Sequence, residues 1–142
     1  KFFDVAGIRV ICNYVDDIYR IAGLLTNQDD ITLIRTKDYI ECPKENGYRS
    51  LHLIVSIPIF LAEKTEHVMA EIQIRTIAMN LWASLEHEMK YKSDDDVSDE
   101  LKSRLKNNAD AIAKIDTEMQ FIFKELKQKN NVPKTTCRGM KN

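Results

Sequence analysis

The sequence has little glycine: the four residues Gly7, Gly23, Gly47 and Gly139 are too scattered to form GxxxxGK[ST] or GxGxxG. A P-loop or Rossmann phosphate cradle is thereby excluded, because both need closely spaced glycines where the backbone wraps a phosphate. Cysteine is equally sparse, since Cys12, Cys42 and Cys137 are odd in number, far apart and without a CxxC pair. Neither a disulfide framework nor a thiolate zinc site is expected. No GxSxG nucleophile elbow occurs, and His87-Glu88 fails as the start of HExxH because Tyr91 stands where the second histidine is needed. A charge excess is missing too. With 21 Lys plus Arg against 22 Asp plus Glu, the net charge of −1 is too balanced for a chain that holds nucleic acid mainly through bulk charge. No apolar run approaches the roughly 18–20 residues that span a bilayer, and Lys1-Phe2-Phe3-Asp4 is no signal-peptide core. A cytoplasmic protein with no membrane association is expected.

What is present supports one packed domain: 142 residues, 44% hydrophobic and 30% charged. The short β-branched run Val5 to Cys12, with Asp4 at its mouth and only Arg9 charged inside it, reads as a buried strand. Asp16 and Asp17 then favour a helix N-terminus, with Ile18, Ile21, Ala22 and Leu25 on one face. Ile31 to Arg35 reads as a second strand, and the polar stretch Lys37 to Arg49, with Pro43, Asn46 and Gly47, as a loop. Leu51 to Ile59 reads as a third strand, Leu61 to Glu66 as a connection, and Val68 to Arg75 as a fourth strand. In that fourth strand Glu71, Gln73 and Arg75 alternate with Ile72 and Ile74. Its polar face is either solvated surface or the floor of a site, and spacing does not decide between them.

Thr76 can cap the next helix, in which Ala78, Trp82, Leu85 and Met89 make a core stripe while Glu86, His87 and Lys90 lie away from it. An acidic linker, Ser93 to Asp99, precedes a second long helix, capped by Ser98 or Asp99 and running to about Lys127. Leu101, Leu105, Ile112, Ile115, Met119, Ile122 and Leu126 follow a four-three rhythm there, with Asn108 in the polar slot, which suits either a helix-to-helix seam between chains or packing within one. Beyond it the chain is polar and basic, and a mobile tail is expected. The order β, α, β, β, β, α, α indicates an α/β sheet of mixed strand direction flanked by helices.

The chemistry-bearing residues are dispersed: Asp4 with Arg9, the loop Pro43 to His52, and Glu71 to Arg75. Two carboxylates on sheet strands with Lys and Arg nearby suit Mg²⁺-assisted phosphoryl chemistry, in which hard oxygens hold the metal and cations neutralise phosphate. Each acidic residue taken singly is equally a surface carboxylate or a salt-bridge partner. Tyr48 could stack on a nucleobase or pack on its neighbours.

The words DVAGIRVIC (Asp4 to Cys12), KDYIECPKENGYRSLHL (Lys37 to Leu53) and AEIQIRTIAMNLWASLEHEMKYK (Ala70 to Lys92) resemble, in that order, the synthetase domain of the RelA/SpoT-homologue superfamily. With no room for a hydrolase or a C-terminal regulatory region, the chain is most similar to the stand-alone small alarmone synthetases, which are GTP pyrophosphokinases. The resemblance implies a nucleotidyltransferase-like mixed sheet and transfer of the β,γ-pyrophosphate of ATP to the ribose 3′ hydroxyl of GDP or GTP, making ppGpp or pppGpp in the stringent response.

By the same resemblance Asp4 would coordinate Mg²⁺, and Glu71 would share the metal or take the 3′ hydroxyl proton. Tyr48 would stack on guanine, and Lys44, Asn46 and His52 would orient the acceptor nucleotide. Lys37 and Gln73 would line its side, with Arg9 and Arg75 toward ATP. A catalytic domain over residues 1–92, a helical extension over 93–127 that could contact other copies in a tetramer, and a basic tail over 128–142 complete the expectation. The family's basic ATP-binding segment lies upstream of the aspartate word, whereas this chain begins at Lys1. Relatives on the same scaffold modify adenine nucleotides or tRNA. A catalytically silent nucleotide- or RNA-binding module is the alternative of a different class.

Overall fold

The computed structural model describes residues 6–92 and 97–131. The elements run β1 (Ala6–Cys12), α1 (Val15–Thr26), β2 (Thr32–Asp38), β3 (Leu51–Phe60), β4 (Thr65–Thr76), α2 (Ile77–Lys92) and α3 (Asp99–Asn131). The strands form one mixed sheet in the order β1-β4-β3-β2, with β1 parallel to β4 and the other pairs antiparallel. The return from β1 to its parallel neighbour needs a long crossover, which α1 and the β2–β3 excursion supply. Mixed strand direction thus agrees with the sequence expectation.

Period-two alternation makes the two faces unlike. On one face Leu51, Leu53 and Val55 of β3 and Ala70, Ile72 and Ile74 of β4 are buried, against Ile18, Ile21, Ala22 and Leu25 of α1. Ile18, Leu53, Val55 and Ile74 are fully buried, and each such side chain contributes roughly 1.5–3 kcal/mol relative to exposure.

Several boundaries differ from the sequence reading. β2 extends to Asp38, so Lys37 is a strand residue and not the start of a loop, because Lys37 pairs with His52 and Asp38 with Leu51 across the ladder. Backbone pairing there outweighs local polarity. β3 and β4 likewise pair out to Phe60 and Thr65, leaving a tight turn in which the Leu61 N–H donates to the Lys64 carbonyl at 2.9 Å.

In α2 the core stripe is turned from the expected one: Met79, Trp82, Ala83 and Glu86 are buried, while Leu85 and Met89 are exposed. The reason is α3, whose Leu105, Ala109 and Ile112 cover Trp82 and Ala83 in a second apolar cluster, with the Trp82 indole donating to the Leu105 carbonyl at 2.9 Å. Glu86 sits at the rim of that contact, where Lys90 reaches its carboxylate at 2.7 Å.

Helix α3 starts as expected, with Ser98 Oγ accepting the Leu101 N–H at 3.3 Å, and it runs on to Asn131. Its four-three pattern divides: Leu105 and Ile112 pack inward, whereas Ile115, Met119, Ile122 and Leu126 face solvent in this chain. Toward its end Phe123 stacks on Tyr14 at 4.2 Å and Lys124 pairs with Asp16 at 2.8 Å. The expected acidic linker and basic tail fall mostly on residues 93–96 and 132–142, outside the described residues.

The junction of β4 and α2 is tied to α3 through one threonine. Thr76 Oγ1 accepts the Met79 N–H at 3.1 Å, the cap expected from sequence, and donates to Asp116 Oδ2 at 2.6 Å. Burial pushes the Asp116 carboxyl above its ordinary value, and the Thr76 hydroxyl opposes that rise. A carboxyl raised on folding contributes stability that is fully present below its unfolded pKa and is lost as pH rises through its folded pKa. Asp116→Asn keeps an acceptor for Thr76 and is expected to remove this part of the pH dependence. Asp116→Ala is expected to cost roughly 1–3 kcal/mol at every pH by leaving a buried donor unpaired. Urea unfolding between pH 4 and 7 checks both; equal pH slopes in wild type and Asp116→Asn would contradict the assignment.

Candidate active site

The polar face of the sheet is open, and strand register puts one side chain from each strand on a single row: Arg9 of β1, Gln73 of β4, His52 of β3 and Lys37 of β2. One row along, Glu71 lies between Gly7 and Ile54, and Arg75 lies beside Ile11. A row of cationic and amide groups around one carboxylate suits an anionic ligand whose chemistry needs a base or a metal-binding oxygen. Arg9 is exposed and Lys37 half-buried. A Cβ built on Gly7 would meet nothing within 4 Å among the described residues.

The loop between β2 and β3 is braced at both ends. Asp38 Oδ1 accepts the N–H groups of Ile40 and Glu41 at 2.9 and 3.0 Å, and Tyr39 N–H donates to the Ser50 carbonyl at 3.0 Å. Within it the Gly47 N–H donates to the Lys44 carbonyl at 2.8 Å and the Lys44 N–H to the Tyr48 carbonyl at 3.1 Å. Asn46 Oδ1 accepts the Tyr48 N–H at 3.0 Å, an Asx turn, so this residue shapes the loop by itself. Gly47 has φ +97°, which a side chain resists, and a Cβ there would lie 2.7 Å from the Ala109 Cβ of α3. Arg49 closes the loop onto α3, donating to the Gly47 carbonyl at 3.1 Å and to Asp110 at 3.0 Å.

This bracing sets Tyr48 over the row. Its hydroxyl lies 2.9 Å from His52 Nε2 and accepts a hydrogen bond from Arg75 Nη2. The other ring nitrogen of His52, Nδ1, is 3.0 Å from Glu71 Oε1. Tyr39 meets both rings edge-on, at 6.1 Å from Tyr48 and 5.1 Å from His52. Lys44 Nζ sits over Tyr39 and Tyr48, at 4.8 and 5.0 Å from the ring centroids. Burial is the chief cause that holds His52 below the ordinary histidine value; Glu71 pulls upward, and the cations of Lys44, Arg75 and Lys37 push down.

Arg75 is not on an exposed wall. It is 5% exposed, its guanidinium lies 5.2 Å from the Tyr48 centroid, and it donates to Gln73 at 3.1 Å and to Asn80 at 3.4 Å. Its buried Nε has no partner among the described residues. The side chain acts from beneath Tyr48, because the loop that the sequence pattern leaves free folds over it.

Glu71, His52, Tyr48, Lys44, Gln73, Arg75, Lys37 and Arg9 thus share one sheet face and its overhanging loop. Asp4 lies outside the described residues. Tyr39, Asn80, Arg49 and Asp110 also build the site; the first three stand in the words that carry the resemblance, whereas Asp110 enters only through the fold. Among the described residues no group of three or more His, Cys, Asp or Glu could hold a metal ion. A lone carboxylate still fits Mg²⁺, which commonly takes one or two carboxylates together with substrate phosphates. No helix among the described residues is long and apolar enough to cross a membrane.

Fold and site together define an α/β protein whose described residues offer an open, cation-lined sheet face around the Glu71 carboxylate. Residues 1–96 match the model of the region found in RelA / SpoT proteins, and the chain belongs to that family. It is 48% identical over 123 residues to GTP pyrophosphokinase YwaC of Bacillus subtilis, covering 87% of this chain and 59% of that protein. It superposes with TM-score 0.81 and 48% identity on small alarmone synthetase 2 of Bacillus subtilis, covering 84% of this chain and 65% of the other. Small alarmone synthetase 1 of the same organism, bound to its product pppGpp, superposes with TM-score 0.79 at 41% identity, covering 84% and 61% of the two chains. This chain therefore spans less than two thirds of each of these relatives.

Proposed function

We propose that this chain transfers the β,γ-pyrophosphate of ATP to the 3′ hydroxyl of GDP or GTP, releasing AMP and forming ppGpp or pppGpp. The observation that carries the reading is Glu71 on an open face, braced by His52 and flanked by Arg9, Lys37 and Gln73. The named activity of YwaC and the product bound to small alarmone synthetase 1 support the same chemistry. In the transfer the 3′ oxygen attacks the β-phosphorus, the bond from that phosphorus to the α,β-bridging oxygen breaks, and AMP leaves with the electron pair. Glu71 takes the hydroxyl proton. A Mg²⁺ ion bound by Glu71 and Asp4 would neutralise phosphate charge, with Arg9 supplying fixed positive charge toward ATP. Catalysis then rests on alignment and charge neutralisation, with no covalent enzyme intermediate.

Tyr48 stacks on guanine in this reading, and Lys44, Asn46, His52, Lys37 and Gln73 hold the acceptor side. Tyr48→Ala is expected to weaken GDP binding by about 1–3 kcal/mol, the usual worth of a base stack. Calorimetric titration measures it, and unchanged affinity would remove the stack. We also assign the chain to a homo-oligomer, a tetramer, in which the exposed stripe Ile115, Met119, Ile122 and Leu126 makes contacts. Light scattering of a monomer would overturn that assignment.

The deciding assay offers ATP with GDP, GTP, ADP or tRNA and identifies the product. Pyrophosphorylated guanine nucleotide is expected, and pyrophosphorylated tRNA alone would replace the acceptor. Nucleotide binding without turnover would favour a silent module.

A further inference from the structure

The side chains of Arg75, Tyr48, His52 and Glu71 form a continuous chain of hydrogen bonds. A guanidinium only donates and a carboxylate only accepts, so Arg75 donates at one end of it and His52 Nδ1 donates at the other. Arg75 Nη2 donates to the Tyr48 oxygen, and the Tyr48 hydroxyl meets His52 Nε2 at 2.9 Å. With Nε2 held there, the Nδ1–H of the same ring points at Glu71 Oε1, 3.0 Å away. His52 is 7% exposed and Arg75 5%, so water cannot readily replace either link. The flanking neighbours of Glu71 across the sheet, Gly7 and Ile54, offer no polar side chain to hold it.

We propose that the Tyr48 hydroxyl is a positioning group for Glu71, acting through the orientation of the His52 ring, separately from any stacking by the Tyr48 ring. The inference rests on the reading of Glu71 as the base in pyrophosphate transfer. One residue then does two separable jobs: its ring face meets a base, and its hydroxyl, anchored by Arg75, turns the imidazole so that Nδ1–H faces the carboxylate. Gln73 and Asn80 in turn hold Arg75, through the contacts at 3.1 and 3.4 Å.

Tyr48→Phe keeps the ring and removes the hydroxyl. In the full chain kcat is expected to fall by about tenfold, the rate equivalent of one lost hydrogen bond, while KM for GDP stays within about twofold. Tyr48→Leu, which removes both functions, is expected to raise KM as well. A Tyr48→Phe enzyme with wild-type kcat, or with a raised KM and unchanged kcat, would overturn the proposal. A second readout needs no turnover: nitrogen NMR of the ligand-free wild-type protein is expected to show the His52 ring protonated at Nδ1, with the Nε2 resonance shifted in Tyr48→Phe. A ring bare at Nδ1 in an active enzyme, or an Nε2 resonance unmoved by Tyr48→Phe, removes the proposal alone. Absence of product from the wild-type protein with every acceptor removes the underlying reading, and with it the base that the hydroxyl would position.

Discussion

Glu71→Gln is expected to lower pyrophosphate transfer by about 10²–10⁴-fold, the usual contribution of a positioned general base, with GDP affinity largely kept. The substitution changes little in shape. Glu71 is half-buried, its Oε1 faces His52 Nδ1 at 3.0 Å, and a glutamine oxygen can accept from the same nitrogen. What disappears is the negative charge and the capacity to take a proton from the attacking hydroxyl. The two families of outcome separate cleanly in a steady-state assay beside a calorimetric titration. A loss of kcat at constant affinity assigns the base. An enzyme that retains activity as Glu71→Gln would move the proton acceptor elsewhere and leave Glu71 a metal-binding or structural role.

Gly47→Ala is expected to destabilise the protein by about 2–4 kcal/mol, and the effect has two independent sources. A side chain at φ +97° costs about 1–2 kcal/mol through its clash with the neighbouring backbone. The added carbon would also lie 2.7 Å from the Ala109 Cβ, with the Lys106 Cα at 3.5 Å behind it, so helix α3 must shift. Because the next residue is Tyr48, KM for the guanine nucleotide should rise along with the loss of stability. Adding Ala109→Gly should recover the packing part and leave the backbone part, which a double-mutant cycle in urea reads directly. Wild-type stability in Gly47→Ala would mean that the loop does not need its left-handed residue.

The alternation of Glu71, Gln73 and Arg75 with Ile72 and Ile74 is enough to divide β4 into an apolar and a polar face, and the structure keeps that division. A periodic pattern reports direction and not distance, so it cannot tell that Arg75 ends beneath a tyrosine while Arg9 stays in solvent. Lys37 illustrates the opposite failure: its neighbours are polar enough to read as loop, yet it pairs with His52 in a ladder. The stripe of α2 was displaced for a similar reason. Its apolar residues are spaced for more than one face, and the face that is buried was chosen by where α3 lies. Asp110 and Asp116 carried no signal of their own, since a carboxylate on a long helix ordinarily points to water. Their partners, Arg49 and Thr76, are 61 and 40 residues distant along the chain. Asp4 remains an assignment that rests on family resemblance.

Helix α3 follows the span by which the family is detected, residues 1–96. Nevertheless its Ala109 abuts the turn before Tyr48, its Asp110 clasps Arg49, and its Asp116 secures the end of β4. The stretch of sequence that advertises the ancestry of this protein is therefore shorter than the unit that has to fold for the cation-lined face to keep its shape. Chains alike in the first part and divergent in the second would share a chemistry while differing in how firmly it is held.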